Sequence, residues 1–204
     1  MIRPIRLYGD PVLRRAARSV TRFDDDVRAL AADMIDTMIA ADGLGLAAPQ
    51  IGIARRVFVV AGSADPQRPA LDDDAPEPTL EEQRASALVF VNPTLRAQGG
   101  TQTGIEGCLS LPGLYHDAVE RHAVLSVRFQ DLDGVWHERT VEGRFAVVLQ
   151  HEADHLDGVL FLDRLPDGER AAFMEEHRAE LAQMQRDAKA ALRGDGRAAM
   201  GRST

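Results

Sequence analysis

The chain has 204 residues, enough for one well-buried core in one domain, and its 45% hydrophobic and 27% charged composition is that of a globular protein. A formal charge of −8 argues against direct nucleic-acid binding, which needs a concentrated basic face, and no apolar run approaches the length of a membrane span. The single cysteine cannot form an intramolecular disulfide, and with no signal-like run at the start a reducing, cytoplasmic compartment is expected.

The first periodic signal is "DDDVRALAADMIDTMIAADG", residues 24–43. Aspartates gather where a helix dipole favours negative charge. Val27, Leu30, Met34 and Met38 then recur at three- and four-residue steps, Ala31 and Ile35 widen the stripe, and Gly43 is a natural stop. An amphipathic helix is predicted. "DGLGLAAPQIG" (42–52) follows, where Gly43 and Gly45 permit close backbone approach or positive φ. The run lacks the Lys-Ser/Thr of a phosphate loop and does not follow a strand, so it reads as a tight turn from helix to strand. Gln50 in such a turn could donate an amide N–H to a developing oxyanion.

"RRVFVVAG" (55–62) and "SALVFVNP" (86–93) are β-branched runs that read as buried strands. Between them, about residues 63–87, the chain is rich in Pro, Asp and Glu and is expected to be an acidic surface insertion with too little apolar surface to order itself. "AVLSVRFQDLDGVWHERTVEG" (123–143) alternates about Asp133-Gly134 and predicts a β-hairpin. A helix is predicted from about Arg144 to Leu156. A last long helix is predicted over 166–194, capped by Asp167 and with Leu181, Met184, Ala188 and Leu192 on one face. A flexible tail is expected over 193–204. Helix, strands, then helices indicate an α+β fold in one domain over 1–192, with mostly antiparallel strands packed around a central metal-binding helix and with N-terminal and C-terminal helices.

The penultimate helix carries "QHEADHLDG" (150–158). Residues four apart share a helix face, so His151 and His155 can aim two imidazoles at one point with Glu152 alongside. The apolar "RFAVVL" before them would bury the helix. A catalytic divalent site typically has three protein ligands and one open position, and Cys108 of "EGCLS", the only thiol, is a candidate for the third. The plainer alternative is a structural helix with satisfied histidines and a buried thiol. Two further readings stand beside it. A zinc peptidase would draw its third ligand from Asp157, Asp163, Glu169 or Glu175; a thiol hydrolase would pair Cys108 with a histidine and need no metal. His116, His122, His137 and His177 lack the spacing of ligands.

Together, "GLGLAAPQ" (43–50), "EGCLS" (106–110) and "QHEADH" (150–155) resemble the three signature motifs of peptide deformylases, complete and in order, in a likeness covering about residues 1–180. The resemblance implies hydrolysis of the N-formyl group from the first methionine of nascent chains, releasing formate. It implies one divalent metal per chain, Fe²⁺, with Zn²⁺, Ni²⁺ or Co²⁺ as substitutes, held by Cys108, His151 and His155. Glu152 would then be the general acid/base, Gln50 and the Leu109 N–H the oxyanion donors, and Gly45 a contact to the substrate backbone. Leu44 and Val148 would line a methionine pocket. Partners implied are formyl-methionyl nascent peptides and, because those are met during synthesis, transient contact with the ribosome; no membrane partner is implied. In one departure, Tyr115 stands where some members carry an arginine that contacts the peptide. Arg121 is expected to pair with Asp154 and brace the motif helix.

Overall fold

The computed structural model describes residues 1–67 and 77–200. Among these residues five strands form one antiparallel sheet in the order β1-β2-β3-β4-β5: β1 (Gly45–Ala47), β2 (Val57–Val60), β3 (Leu88–Cys108), β4 (Leu111–Gln130) and β5 (Trp136–Glu142). Each strand pairs with its successor in sequence, so the sheet is a meander with no crossover. Gly45 opposes Val60, Val60 opposes Leu88, and Val124 opposes Glu142. With five α-helices among the described residues, α1 (Asp25–Ala40), α2 (Leu80–Ser86), α3 (Gly143–Leu156), α4 (Asp167–Glu176) and α5 (Arg178–Met200), the architecture is α+β as the sequence predicts.

Helix α1 follows its predicted stripe: Val27, Leu30, Met34 and Met38 are buried against β1 and β2, together with Leu46, Val57 and Val59. Full burial stabilises such a side chain by roughly 1.5–3 kcal/mol each, which outweighs an N-terminus lacking a side-chain cap bond.

Helix α3 lies on the other side of the sheet. Phe145, Ala146, Val148, Leu149 and Leu156 pack on Phe58, Val60, Phe90, Leu125, Val127 and Val141. The two adjacent valines are poor helix formers, so burial rather than propensity holds this segment helical. The chain turns from β5 into α3 through Gly143 at φ 61, a left-handed conformation that costs a glycine little. A third cluster, with Leu111, Leu114, Leu160, Phe161, Phe173, Leu181 and Met184, seats α4 and α5 at the far end of the β3–β4 hairpin.

Four expectations are corrected. Strands β3 and β4 run for 21 and 20 residues, far beyond the predicted segments, because their outer halves form a two-stranded ribbon whose side chains largely face water. The 63–87 insertion is ordered at both ends. Asp65 accepts two hydrogen bonds from Arg139 (2.9 and 3.0 Å), and α2 starts from a reciprocal Thr79–Glu82 capping box; residues 68–76 lie outside those described. The last helix is two, divided at His177, and starts after Pro166 with Asp167 in its first turn and no side-chain cap. Helix α5 reaches Met200, so the expected tail over 193–204 is helical in its first part, and 201–204 lie outside the described residues.

Candidate active site

Three pieces of chain meet in one cleft of about 770 Å³: the α1–β1 connection, the end of β3, and the inward face of α3. Leu44, Gly45, Gln50, Cys108, Leu109, Val148, His151 and Glu152 all line it, and His155 lies beneath at 1% exposure. The nine residues that the deformylase resemblance points to therefore lie in one place. His116, His122, His137 and His177 lie outside the cleft.

Cys108 closes β3, opposite Leu111. Its Sγ stands 3.2 Å from His155 Nε2, and one ligand atom each from Cys108, His151 and His155 lies within 4.8 Å of the others. The two imidazoles, one helical turn apart, sit with ring centroids 5.0 Å apart and planes at 76°. Among the described residues this is the only such group of three. The downstream carboxylates offered as alternative third ligands are engaged elsewhere: Asp157 with Arg56, Asp163 with Arg14 and Arg170, Glu169 with His116, Glu175 with Arg178.

Burial alone would raise the Cys108 thiol; the imidazoles of His155 and His151 outweigh it and hold the group well below the ordinary thiol range. The Ser110 N–H (3.4 Å) and the Gln50 amide (3.5 Å) also donate to the sulfur. Gln50 is fixed from behind, since the Ala47 N–H donates to its Oε1 at 2.8 Å, which turns the NH₂ toward Cys108 and Ser110.

Glu152 is 3% exposed, and its Oε2 has no hydrogen-bond partner among the described residues. Burial, with Cys108 and Glu106 adding negative charge nearby, pushes this carboxyl up to about 7 against the pull of His151 and His155. A buried carboxyl without a partner is costly unless something arrives to meet it. A soft thiolate, two imidazoles and a free carboxylate oxygen form a donor set that fits a divalent first-row metal with a position left for water.

Sequence reasoning missed Glu106 as a site residue, although it stands two positions before the cysteine. Its Oε2 meets His151 Nδ1 at 2.8 Å, and Arg121 donates to both its oxygens at 2.6 and 2.9 Å. Burial pushes Glu106 up, but those bonds dominate and hold it at about 2. The expected Arg121–Asp154 pair is present at 2.6 Å. Tyr115 is exposed on the rim, beside Gly107. Ile105 and Arg144 also line the cleft, and nothing in their spacing marks them in the sequence as site residues.

A meander of antiparallel strands wrapped on a helix that presents His-Glu-x-x-His to a distant cysteine is the scaffold of a metal-dependent hydrolase. Comparison with known proteins narrows the class. The profile of the polypeptide deformylase family matches residues 2–171. A peptide deformylase of Thermus thermophilus is 48% identical over 193 residues, covering 95% of this chain and 97% of that protein. A crystal structure of peptide deformylase from Thermus thermophilus superposes with a TM-score of 0.79 at 45% identity, covering 92% of this chain and 99% of the other. A Plasmodium falciparum peptide deformylase structure does so with a TM-score of 0.74 at 33% identity, covering 91% and 97%. The chain belongs to the polypeptide deformylase family, the metal-dependent hydrolases that remove the N-formyl group from newly made polypeptides.

Proposed function

We propose that Cys108, His151 and His155 hold one divalent ion, Fe²⁺ in the cell with Zn²⁺, Ni²⁺ or Co²⁺ as substitutes, and that Glu152 is the proton carrier of deformylation. The observation that carries this reading is the partnerless Glu152 Oε2, buried beside the sulfur and the two imidazoles. The chemistry an ion supplies there is Lewis acidity, toward water and toward the formyl oxygen.

The residues of the chain do the rest. Glu152 takes a proton from the attacking water as its oxygen bonds to the formyl carbon. It returns that proton to the amine nitrogen as the C–N bond breaks, releasing formate and a free methionyl N-terminus. Such acid–base help is typically worth ~10²–10⁴ in rate. The Gln50 NH₂ and the Leu109 N–H meet the negative charge that develops on the formyl oxygen. Leu44 and Val148 form apolar walls for the methionine side chain, and Gly45 brings its backbone to the substrate without a side chain between them.

One catalytic domain over 1–192 contains every one of these groups. Its substrates are formyl-methionyl chains still being made, so it works in the cytoplasm and meets the ribosome transiently. The described residues contain no helix long and apolar enough to cross a membrane. Metal analysis of protein purified without oxygen, alongside formate release from formyl-Met-Ala-Ser, tests the reading. One equivalent of iron with rapid release supports it, and full activity after complete chelation refutes it.

A further inference from the structure

The hydrogen bonds that orient His151 do not stop at Glu106. Arg121, which grips both oxygens of Glu106, donates its remaining Nη1 to Asp154 Oδ2 at 2.6 Å. Asp154 is gripped in turn by Arg164, through Nε to Oδ2 at 2.9 Å and through Nη2 to Oδ1. Four charges of alternating sign thus extend outward from His151 Nδ1. Side-chain exposure is 4% at Glu106, 3% at Arg121 and 10% at Asp154, then rises to 47% at Arg164. The outer end opens on a second cleft of about 600 Å³ behind α3, which Arg121, Asp154 and Arg164 help to line.

The same short turn reaches His151 by another path. Arg164 ends the 3₁₀ turn Phe161–Arg164, and the Phe161 ring lies against the His151 imidazole, with centroids 6.4 Å apart and planes at 21°. One four-residue turn therefore touches the His151 face through Phe161 and the His151 edge through the charged chain.

We infer that Arg164 is a positioning residue for the metal centre: it fixes the orientation of His151 through Asp154, Arg121 and Glu106, from a partly exposed site outside the catalytic cleft. The inference rests on the reading of His151 as a ligand. Without Arg164, Asp154 has only Arg121 to neutralise it. Arg121 then shifts toward Asp154, its fork on Glu106 loosens, and the imidazole loses its fixed angle. Partners beyond the ligands that orient a metal-bound histidine typically change metal affinity by ~10–100-fold when removed, and a residue further out should act at the low end.

The test is titration of metal-free protein with Co²⁺ under nitrogen, read by the visible absorption band and by competition with a chelator. Arg164→Ala should weaken Co²⁺ binding by about tenfold and shift the band, while KM for formyl-Met-Ala stays within about twofold of the parent. Arg164→Lys, which restores the charge but not the fork, should recover part of the affinity. Parent-like Co²⁺ affinity and band in Arg164→Ala overturn the inference, whether or not its melting temperature falls. If Arg164→Ala does not fold, Arg164→Gln is read against the same two outcomes. His151→Ala in parallel separates the layers: if it too binds Co²⁺ as the parent does, the ligand assignment itself has failed.

Discussion

A Cβ built on Gly45 would stand 2.4 Å from Oε1 of Glu152 and 2.7 Å from its Cδ, so the carboxylate occupies the space a side chain at 45 would take. The backbone of β1 and the proposed proton carrier of α3 are in direct contact, and the motif glycine is explained by what lies opposite it. Gly45→Ala should therefore displace Glu152 rather than disturb β1. Misplacing a reacting group by about 1 Å can cost ~10²-fold, so kcat should fall by roughly that factor with metal content unchanged. Stopped assays of formate release paired with metal analysis check this, and a variant within a few-fold of the parent would contradict it.

The buried Glu106–Arg121 fork makes stability depend on pH in a definite direction. Glu106 sits at about 2 in the folded chain against an ordinary 4.5. A carboxyl depressed on folding stabilises the protein fully above its unfolded value. That contribution, about 3 kcal/mol for such a shift, is lost as pH falls from about 4.5 to about 2. Metal-free protein should accordingly unfold at lower urea at pH 3 than at pH 6. In Glu106→Gln this component of the acid sensitivity should disappear, on top of a general loss of several kcal/mol from leaving Arg121 half-paired. Equal pH slopes for parent and variant would show that Glu106 is not held as its contacts indicate.

The site was legible in the sequence to a much greater degree than the sheet. His151 and His155 announce themselves by helical spacing, and the short motifs around Cys108 and Gln50 carry local chemistry that survives without coordinates. The β3–β4 ribbon does not. "LRAQGGTQTG" (95–104) has few apolar residues because its side chains mostly face water, so no alternation develops, and its pairing with β4 is a long-range fact. Glu106 was hidden for a related reason: its partner Arg121 is its neighbour only across the ribbon, and His151 only through packing. Helix α2 could have been found, because Thr79 and Glu82 spell a capping box, but the surrounding Pro, Asp and Glu masked it. The break at His177 leaves no trace because Phe173 and Leu181, eight residues apart, keep the same helical face on either side.

Gln50 can be split into its two ends. Its Oε1 accepts from the Ala47 N–H and holds the turn, while its NH₂ is the end proposed to meet the oxyanion. Gln50→Glu retains an acceptor for Ala47 but sets a carboxylate oxygen beside the Cys108 sulfur and where charge must develop. Loss of one such donor typically costs ~10²–10³ in kcat, and the variant should show at least that, with KM little altered. A fall in KM-dependent binding with kcat intact would place Gln50 in substrate anchoring instead.

Cys108 and Glu152 should dissociate cleanly when each is removed. Cys108→Ala takes away the only thiolate of the donor set, leaving two imidazoles on one helix, and the protein should lose its ion on dialysis against a mild chelator. Because the sulfur is buried and accepts hydrogen bonds from Ser110 and Gln50, the fold should survive with a small cavity and a cost of about 1–3 kcal/mol. Glu152→Ala should do the reverse. No ligand is touched and an orphaned carboxylate oxygen disappears, so metal content and thermal stability should match or exceed the parent while turnover drops by ~10²–10⁴ or more. The pairing also separates a metal mechanism from a thiol mechanism, because His155 stands near enough to Cys108 to activate it. In a thiol mechanism the chelated parent would keep its rate; here it should lose it and regain it on adding Co²⁺, and Cys108→Ala should be rescued only weakly at high Co²⁺.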